Sequence, residues 1–256
     1  MSQSMLLDVS PMDQQNQQNS VRQGVNAVMG VKTATQDTTV ATNLEHPAWD
    51  KGITVKYVGA TLAQITALTG LLWGMDMAFH AFADSFSGTL QTAIACLFFA
   101  VVTLRSRLFS LLDNTRSSGR YQTVQRPGWA PPPITFPIVW MSIAVLRVVS
   151  AYLVWSAMGQ VFLCIPLVLY MVHLSLGDTW NTIFTVEGRL GAAVPMVIIG
   201  PLLSAGVITV SYYQTLPLAG WIIFPSFVWL AIATVLCTSI WKLNGQEPLY
   251  PVIAKH

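Results

Sequence analysis

Charge is what this chain has least of. Only 9% of its 256 residues are Asp, Glu, Lys or Arg, against about 25% in a soluble globular domain. Thirteen basic and eleven acidic groups cannot coat a water-soluble body of this size when 53% of the residues are apolar, so lipid is the implied solvent. The net charge of +2 supplies no basic surface of the density that nucleic acid requires, which excludes that partner. Cysteine is scarce as well. Cys96, Cys164 and Cys237 lie in apolar stretches without the spacing of a metal or redox motif, and read as small packing residues. Phosphate-binding loops, Gly-x-Ser-x-Gly elbows and His-Glu-x-x-His helices are missing, and with them the signatures of the common nucleotide enzymes and hydrolases. No metal site and no obligatory cofactor is expected.

What is present is long apolar sequence. From Pro132 to Ile240 the only formally charged residues are Arg147, Asp178, Glu187 and Arg189. Six membrane spans of roughly 20 residues each are predicted: Tyr57–Ala81, Gly88–Leu104, Ile134–Trp155, Gln160–Gly177, Leu190–Tyr212 and Leu218–Trp241. The runs are continuous, without the period-two alternation of barrel strands, so the fold class is all-α, a polytopic membrane helix bundle. With six spans, twelve of the thirteen basic residues fall on one face and Arg147 lies within the third span. By the positive-inside rule both termini then lie on the cytoplasmic-equivalent side. Residues 1–56 are rich in Gln, Asn, Ser and Thr, lack a sustained apolar period and read as a disordered polar tail. No secretory signal pattern is visible in them. The remaining organisation is an additional helix over 57–82, a five-helix domain over 83–246 and a C-terminal tail over 247–256.

Nine tryptophans are many for this length, and their setting is informative. The stretch Gln125-Arg126-Pro127-Gly128-Trp129-Ala130-Pro131-Pro132-Pro133 forces an extended entry and then favours the start of a helix. Trp129 is expected at the membrane surface, and Trp140, eleven residues on, is near the same helix face. Further on stand Tyr152-Leu153-Val154-Trp155, Trp180-Asn181-Thr182-Ile183-Phe184, Tyr213-Gln214-Thr215-Leu216-Pro217-Leu218-Ala219, the run Pro225 to Thr234 with Trp229 and Ala233, and Trp241 to Asn244. In this order the motifs resemble the translocator protein family, also called tryptophan-rich sensory proteins or peripheral benzodiazepine receptors (TspO/MBR). The resemblance covers about 160 residues, roughly Gly88 to Asn244, and leaves the first span outside the family architecture.

The resemblance implies a five-helix bundle around a lipophilic pocket, often dimeric, with the loop after its first helix (here about Arg105 to Pro132) as a lid. It implies ligands such as porphyrins, sterols and synthetic aromatics. Trp140, Trp180, Trp229 and Ala233 match pocket positions, and Trp129 matches the lid junction. Indole suits flat ligands because its face stacks and its N–H offers one directed hydrogen bond. Three departures accompany the match: Ala192 or Ala193 stands where the family has a pocket tryptophan, Gly177-Asp178 replaces an Asn-Trp, and Leu236 to Lys242 lacks the central Tyr of the sterol-recognition stretch.

Three polar residues in the spans bear on function. Arg147 lies about 20 Å into its helix, where a charge needs a partner or a cavity. Asp76 of the added span reaches a similar depth, so an Arg147–Asp76 ion pair clamping that span to the bundle is one expectation. A ligand carboxylate on Arg147, such as a porphyrin propionate, is its rival. His173 is either a ligand to the metal of a bound haem or chlorophyll or an interhelical hydrogen-bonding group. The reading that results is an integral membrane receptor or carrier for a hydrophobic planar ligand: a tetrapyrrole of the haem, protoporphyrin or chlorophyll type, or else a sterol or lipid. Its alternatives are a porphyrin-degrading membrane enzyme and an interaction subunit of a larger membrane complex. The expected partners are membrane lipid, the small hydrophobic ligand, and a second copy or a larger assembly.

Overall fold

The computed structural model describes residues 48–82, 87–112 and 123–253. Most of the polar tail and the centre of the lid loop lie outside the described residues. Among those described, six helical segments account for the bundle: α1 (Lys51–Ala81), α2 (Gly88–Arg105), α3 (Thr135–Ala157), α4 (Ile165–Asn181), α5 (Leu190–Thr215) and α6 (Pro217–Leu243). All except α4 are long and apolar enough to cross a membrane. The fourth expected span is thus the exception, at 17 residues of α-helix. It carries His173 and Asp178 and is the element most enclosed by others, packing on α1, α3 and α5. A helix shielded from lipid on most sides can be more polar than its neighbours.

Local chemistry sets the ends. The Asp50 side chain accepts the Ile53 N–H at 2.9 Å and caps α1, so the helix begins at Lys51 and takes the last residues assigned to the tail. The Ser87 hydroxyl caps α2 by accepting the Leu90 N–H. The fourth helix starts at Ile165 instead of Gln160, because Gly159 and Gln160 adopt φ of 73° and 67° and turn the chain, and Pro166 stands in the first helical turn. Within α5, Ile198–Leu202 widens to a π-turn containing Gly200 and Pro201. Proline cannot donate to the preceding turn and its ring crowds that carbonyl, and the wider turn relieves both. The α5–α6 hairpin is tight enough that a Cβ on Gly220 would lie 2.5 Å from the Tyr213 Cβ.

Neighbouring contacts run α2–α3–α6–α5–α4–α1. Both ends of the described chain meet at one end of the bundle: Trp49 and Val252 form an antiparallel bridge, and the Asp50 N–H donates to the Pro251 carbonyl at 2.8 Å. We call this the near end. Two apolar cores follow. The far core gathers Leu68, Phe99, Val154, Trp155, Phe162, Leu167, Tyr170 and Ile223; the near core gathers Tyr57, Trp180, Phe184, Leu190, Ala193, Val197 and Cys237, with Phe136 and Trp140 against it.

Candidate ligand-binding site

The near core is where the matched tryptophans converge. Trp140 of α3 and Trp180 of α4 belong to the same cluster. Trp180 stacks on Phe184 with centroids 5.6 Å apart and planes 9° from parallel. Trp229 of α6 joins through Phe136, edge to face at 6.1 Å. Ala233 follows Trp229 by one turn of α6 and is half-buried. Trp129 stands apart. It is 51% exposed and lines an outer groove of about 400 Å3 with Ala231, Ile232 and Val235. The indole N–H groups of Trp180 and Trp229 are enclosed and have no hydrogen-bond partner. That of Trp180 lies towards the Cys237 sulfur, a weak acceptor.

A polar cluster lies deeper. Arg147 Nη2 donates to His173 Nε2 at 2.8 Å and to Ser226 Oγ at 3.1 Å. Arginine can only donate, so Nε2 of His173 accepts and its proton is on Nδ1. That proton goes to Ser204 Oγ at 2.8 Å, and the Ser204 hydroxyl donates to the Gly200 carbonyl at 2.7 Å, a group in the π-turn of α5. Both ring nitrogens of His173 are therefore engaged, and ligating a metal would require breaking one of these bonds.

The expected Arg147–Asp76 pair is not formed. The Asp76 carboxylate accepts the N–H groups of Phe162 and Leu163, each at 2.7 Å. It closes the turn before α4, where unpaired amides next to a helix start attract an acid. The added helix is still clamped to the bundle, by other residues. Thr61 and Thr179 hydroxyls meet at 2.6 Å. Gln64 Nε2 donates to the Asp178 carboxylate at 2.8 Å and to the Ser106 carbonyl at 2.9 Å, and the Tyr57 hydroxyl donates to Glu187. Asp178 also accepts from the Ser106 hydroxyl at 2.7 Å, so it is part of the added helix's seam.

Sequence reasoning missed the strap at the near end. Glu247 accepts the Gly191 N–H with its side chain at 2.8 Å and the Trp241 indole N–H with its carbonyl at 2.7 Å. Arg189 pairs with Glu187 at 2.8 Å and donates to the Val252 carbonyl. A Cβ on Gly191 would lie 2.1 Å from the Pro248 carbonyl oxygen, so the tail's close approach requires glycine there. Asn244 clasps Gln125 in both directions at 2.9 Å, joining the last motif to the entry of α3. The signal for that clasp was present, since both residues belong to motifs already singled out.

The fold and the tryptophan site define an integral, multi-pass membrane protein built on a helix bundle. Residues 93–242 match the TspO/MBR family, and the chain belongs to that family. It is 32% identical to the human translocator protein over 127 residues, 48% of this chain and 74% of that protein. It is 28% identical to Protein CrtK of Rhodobacter capsulatus over 131 residues (50% and 81%), and 27% identical to the tryptophan-rich sensory protein of Cereibacter sphaeroides over 128 residues (50% and 78%). The helix α1 lies outside the matched residues.

Proposed function

We propose that this protein is a membrane receptor or carrier that holds a flat hydrophobic ligand, a tetrapyrrole before a sterol, against Trp140, Trp180 and Trp229. The observation that carries the reading is the enclosed indole N–H of Trp229, which has no acceptor, beside that of Trp180, which has only the weakly accepting Cys237 sulfur, in a cluster of aromatic faces contributed by three helices. An unmade hydrogen bond in an apolar setting is costly, and an acceptor on a ring-shaped guest would satisfy it while the rings stack. The relatives' names, translocator and tryptophan-rich sensory protein, agree with a binding role. The segregation of the basic residues supports a topology with both termini on the cytoplasmic-equivalent side under the positive-inside rule. The test is purification of the full chain in mild detergent, pigment and lipid analysis of what co-elutes, and titration with protoporphyrin followed by tryptophan quenching. Saturable quenching that weakens in Trp229→Phe supports the reading. Bulk lipid alone, with no quenching, overturns it.

A further inference from the structure

The carboxylate of Asp76 is committed to the amides of Phe162 and Leu163, so Arg147 lacks the anion that its depth calls for. It is the thirteenth of the 23 residues of α3, near the middle of a span, where a charge normally faces a cavity or a counter-charge. Its direct partners are a neutral imidazole and a hydroxyl, neither of which balances the charge; the Asp178 carboxylate acts on it only at a distance and is bound to Gln64 and Ser106 instead. Among the described residues no carboxylate forms an ion pair with it, and Nε is enclosed with no partner at all.

Three of the four helices that build this cluster also carry the tryptophans, one or two turns from the polar residue. Trp140 precedes Arg147 by seven residues on α3, and Trp180 follows His173 by seven on α4. Seven residues make about two turns, close to the same face and about 10 Å along the axis. Ser226 precedes Trp229 by three residues on α6, about one turn. In each case the tryptophan is nearer the near end and the polar residue is deeper. The polar cluster is the inner end of the aromatic site.

We propose that Arg147 is an acid-recognition subsite: it takes the carboxylate of an amphipathic ligand whose apolar body rests on Trp140, Trp180 and Trp229. His173 and Ser226 fix the guanidinium by holding Nη2, and leave Nε and Nη1 for the incoming anion, the charge-assisted contact for which arginine is suited. This rests on the ligand-binding reading above and adds the chemical class of the ligand. A carboxylated macrocycle and a fatty acid share the recognised group and differ in the body that carries it.

The test compares acids with their esters on the full chain in lipid nanodiscs. Protoporphyrin and its dimethyl ester are titrated by tryptophan quenching; oleate and methyl oleate are titrated as competitors of the bound pigment. The wild type is expected to bind free protoporphyrin about tenfold more tightly than the ester. Arg147→Gln should abolish that preference by weakening the acid alone, and Arg147→Lys should retain part of it. A preference for oleate over methyl oleate that also depends on Arg147 supports the subsite for any carboxylated apolar body; a preference confined to the porphyrin pair supports it for a macrocycle. Equal binding of acid and ester by the wild type, a comparison that needs no variant to fold, overturns the subsite and leaves the ligand-binding reading standing. Loss of both pigments alike in Arg147→Gln also overturns it. Binding of neither pigment by the wild type overturns both.

Discussion

The two ends of the bundle use aromatic residues in opposite ways. At the far end Trp155 is 1% exposed and is ringed by Phe79, Tyr152 and Phe162 at centroid distances of 5.3–5.9 Å. Phe98 and Phe99 extend the same cluster through Phe162. Each ring there has rings for neighbours, and the packing is closed. At the near end Trp140 and Trp229 are half-buried; enclosed indole protons without partners occur at both ends, on Trp155 as on Trp229, so the difference lies in how openly the rings are packed. The polar layer of Arg147, His173, Ser204 and Ser226 separates the two ends. A closed core resists change in volume, whereas a partly open one can accept a guest at small cost to stability. The same residue type therefore packs closed at one end and, under the proposed function, meets the ligand at the other.

The sharpest way to break this comparison is to truncate a ring in each core. Trp155→Ala should cost about 3–5 kcal/mol, read as a large fall in melting temperature in detergent, with ligand affinity unchanged in the fraction that remains folded. If Trp229→Ala proved equally damaging to stability, the distinction between the cores would fail. Gly191→Ala and Asp76→Asn follow, with losses of similar size. In the first, the added methyl has no room beneath Pro248, and overpacking of about 1–3 kcal/mol should displace the C-terminal strap. Faster proteolysis after Asn244 would report it, while an unchanged digestion pattern would contradict the strap. Asp76→Asn removes one of the two acceptor bonds at the far end, because an amide NH2 cannot accept, and takes the charge from the other, for a loss of about 1.5–3 kcal/mol and no change in ligand binding. An effect on binding as large as that of Arg147→Gln would restore the link between Asp76 and Arg147 that the geometry denies. Trp229→Phe should barely move stability yet weaken protoporphyrin by about tenfold, the equivalent of one hydrogen bond of about 1–1.5 kcal/mol. The smallest effect is expected for Thr61→Val, which removes one interhelical hydrogen bond worth about 0.6 kcal/mol from the seam of α1.

Much of this was legible in the residues, and the failures have physical reasons. The motif order identified the tryptophans, and Trp140 and Trp180 do share a cluster. Five spans were readable because a lipid-facing helix must be apolar over its length. The fourth was misplaced at its start because no hydropathy pattern announces a left-handed turn at Gly159–Gln160. The partner of Asp76 was missed for a related reason. The expected pairing rested on a similar depth for Asp76 and Arg147, but α1 starts six residues earlier than expected and carries Asp76 on to the turn before α4, and backbone amides at a turn are acceptable partners for a carboxylate and have no sequence signature. The clasp of Asn244 on Gln125 joins residues 119 positions apart: both stood in motifs already singled out, but periodicity along the chain says nothing about which motif residues meet.

By itself the sequence determined the solvent, the helical class and the family, because charge scarcity, run length and motif order are properties of the chain whatever its tertiary packing. Only the tertiary structure decided which polar groups meet. It assigned Asp76 to a turn, gave Thr61 and Gln64 the task of holding α1, folded Glu247 over Gly191, and left Arg147 with neutral partners at the inner end of the tryptophan cluster. Hydrogen bonds act over a few ångströms and depend on direction, so which of several chemically suitable partners is taken depends on the rotation and offset of each helix against its neighbours.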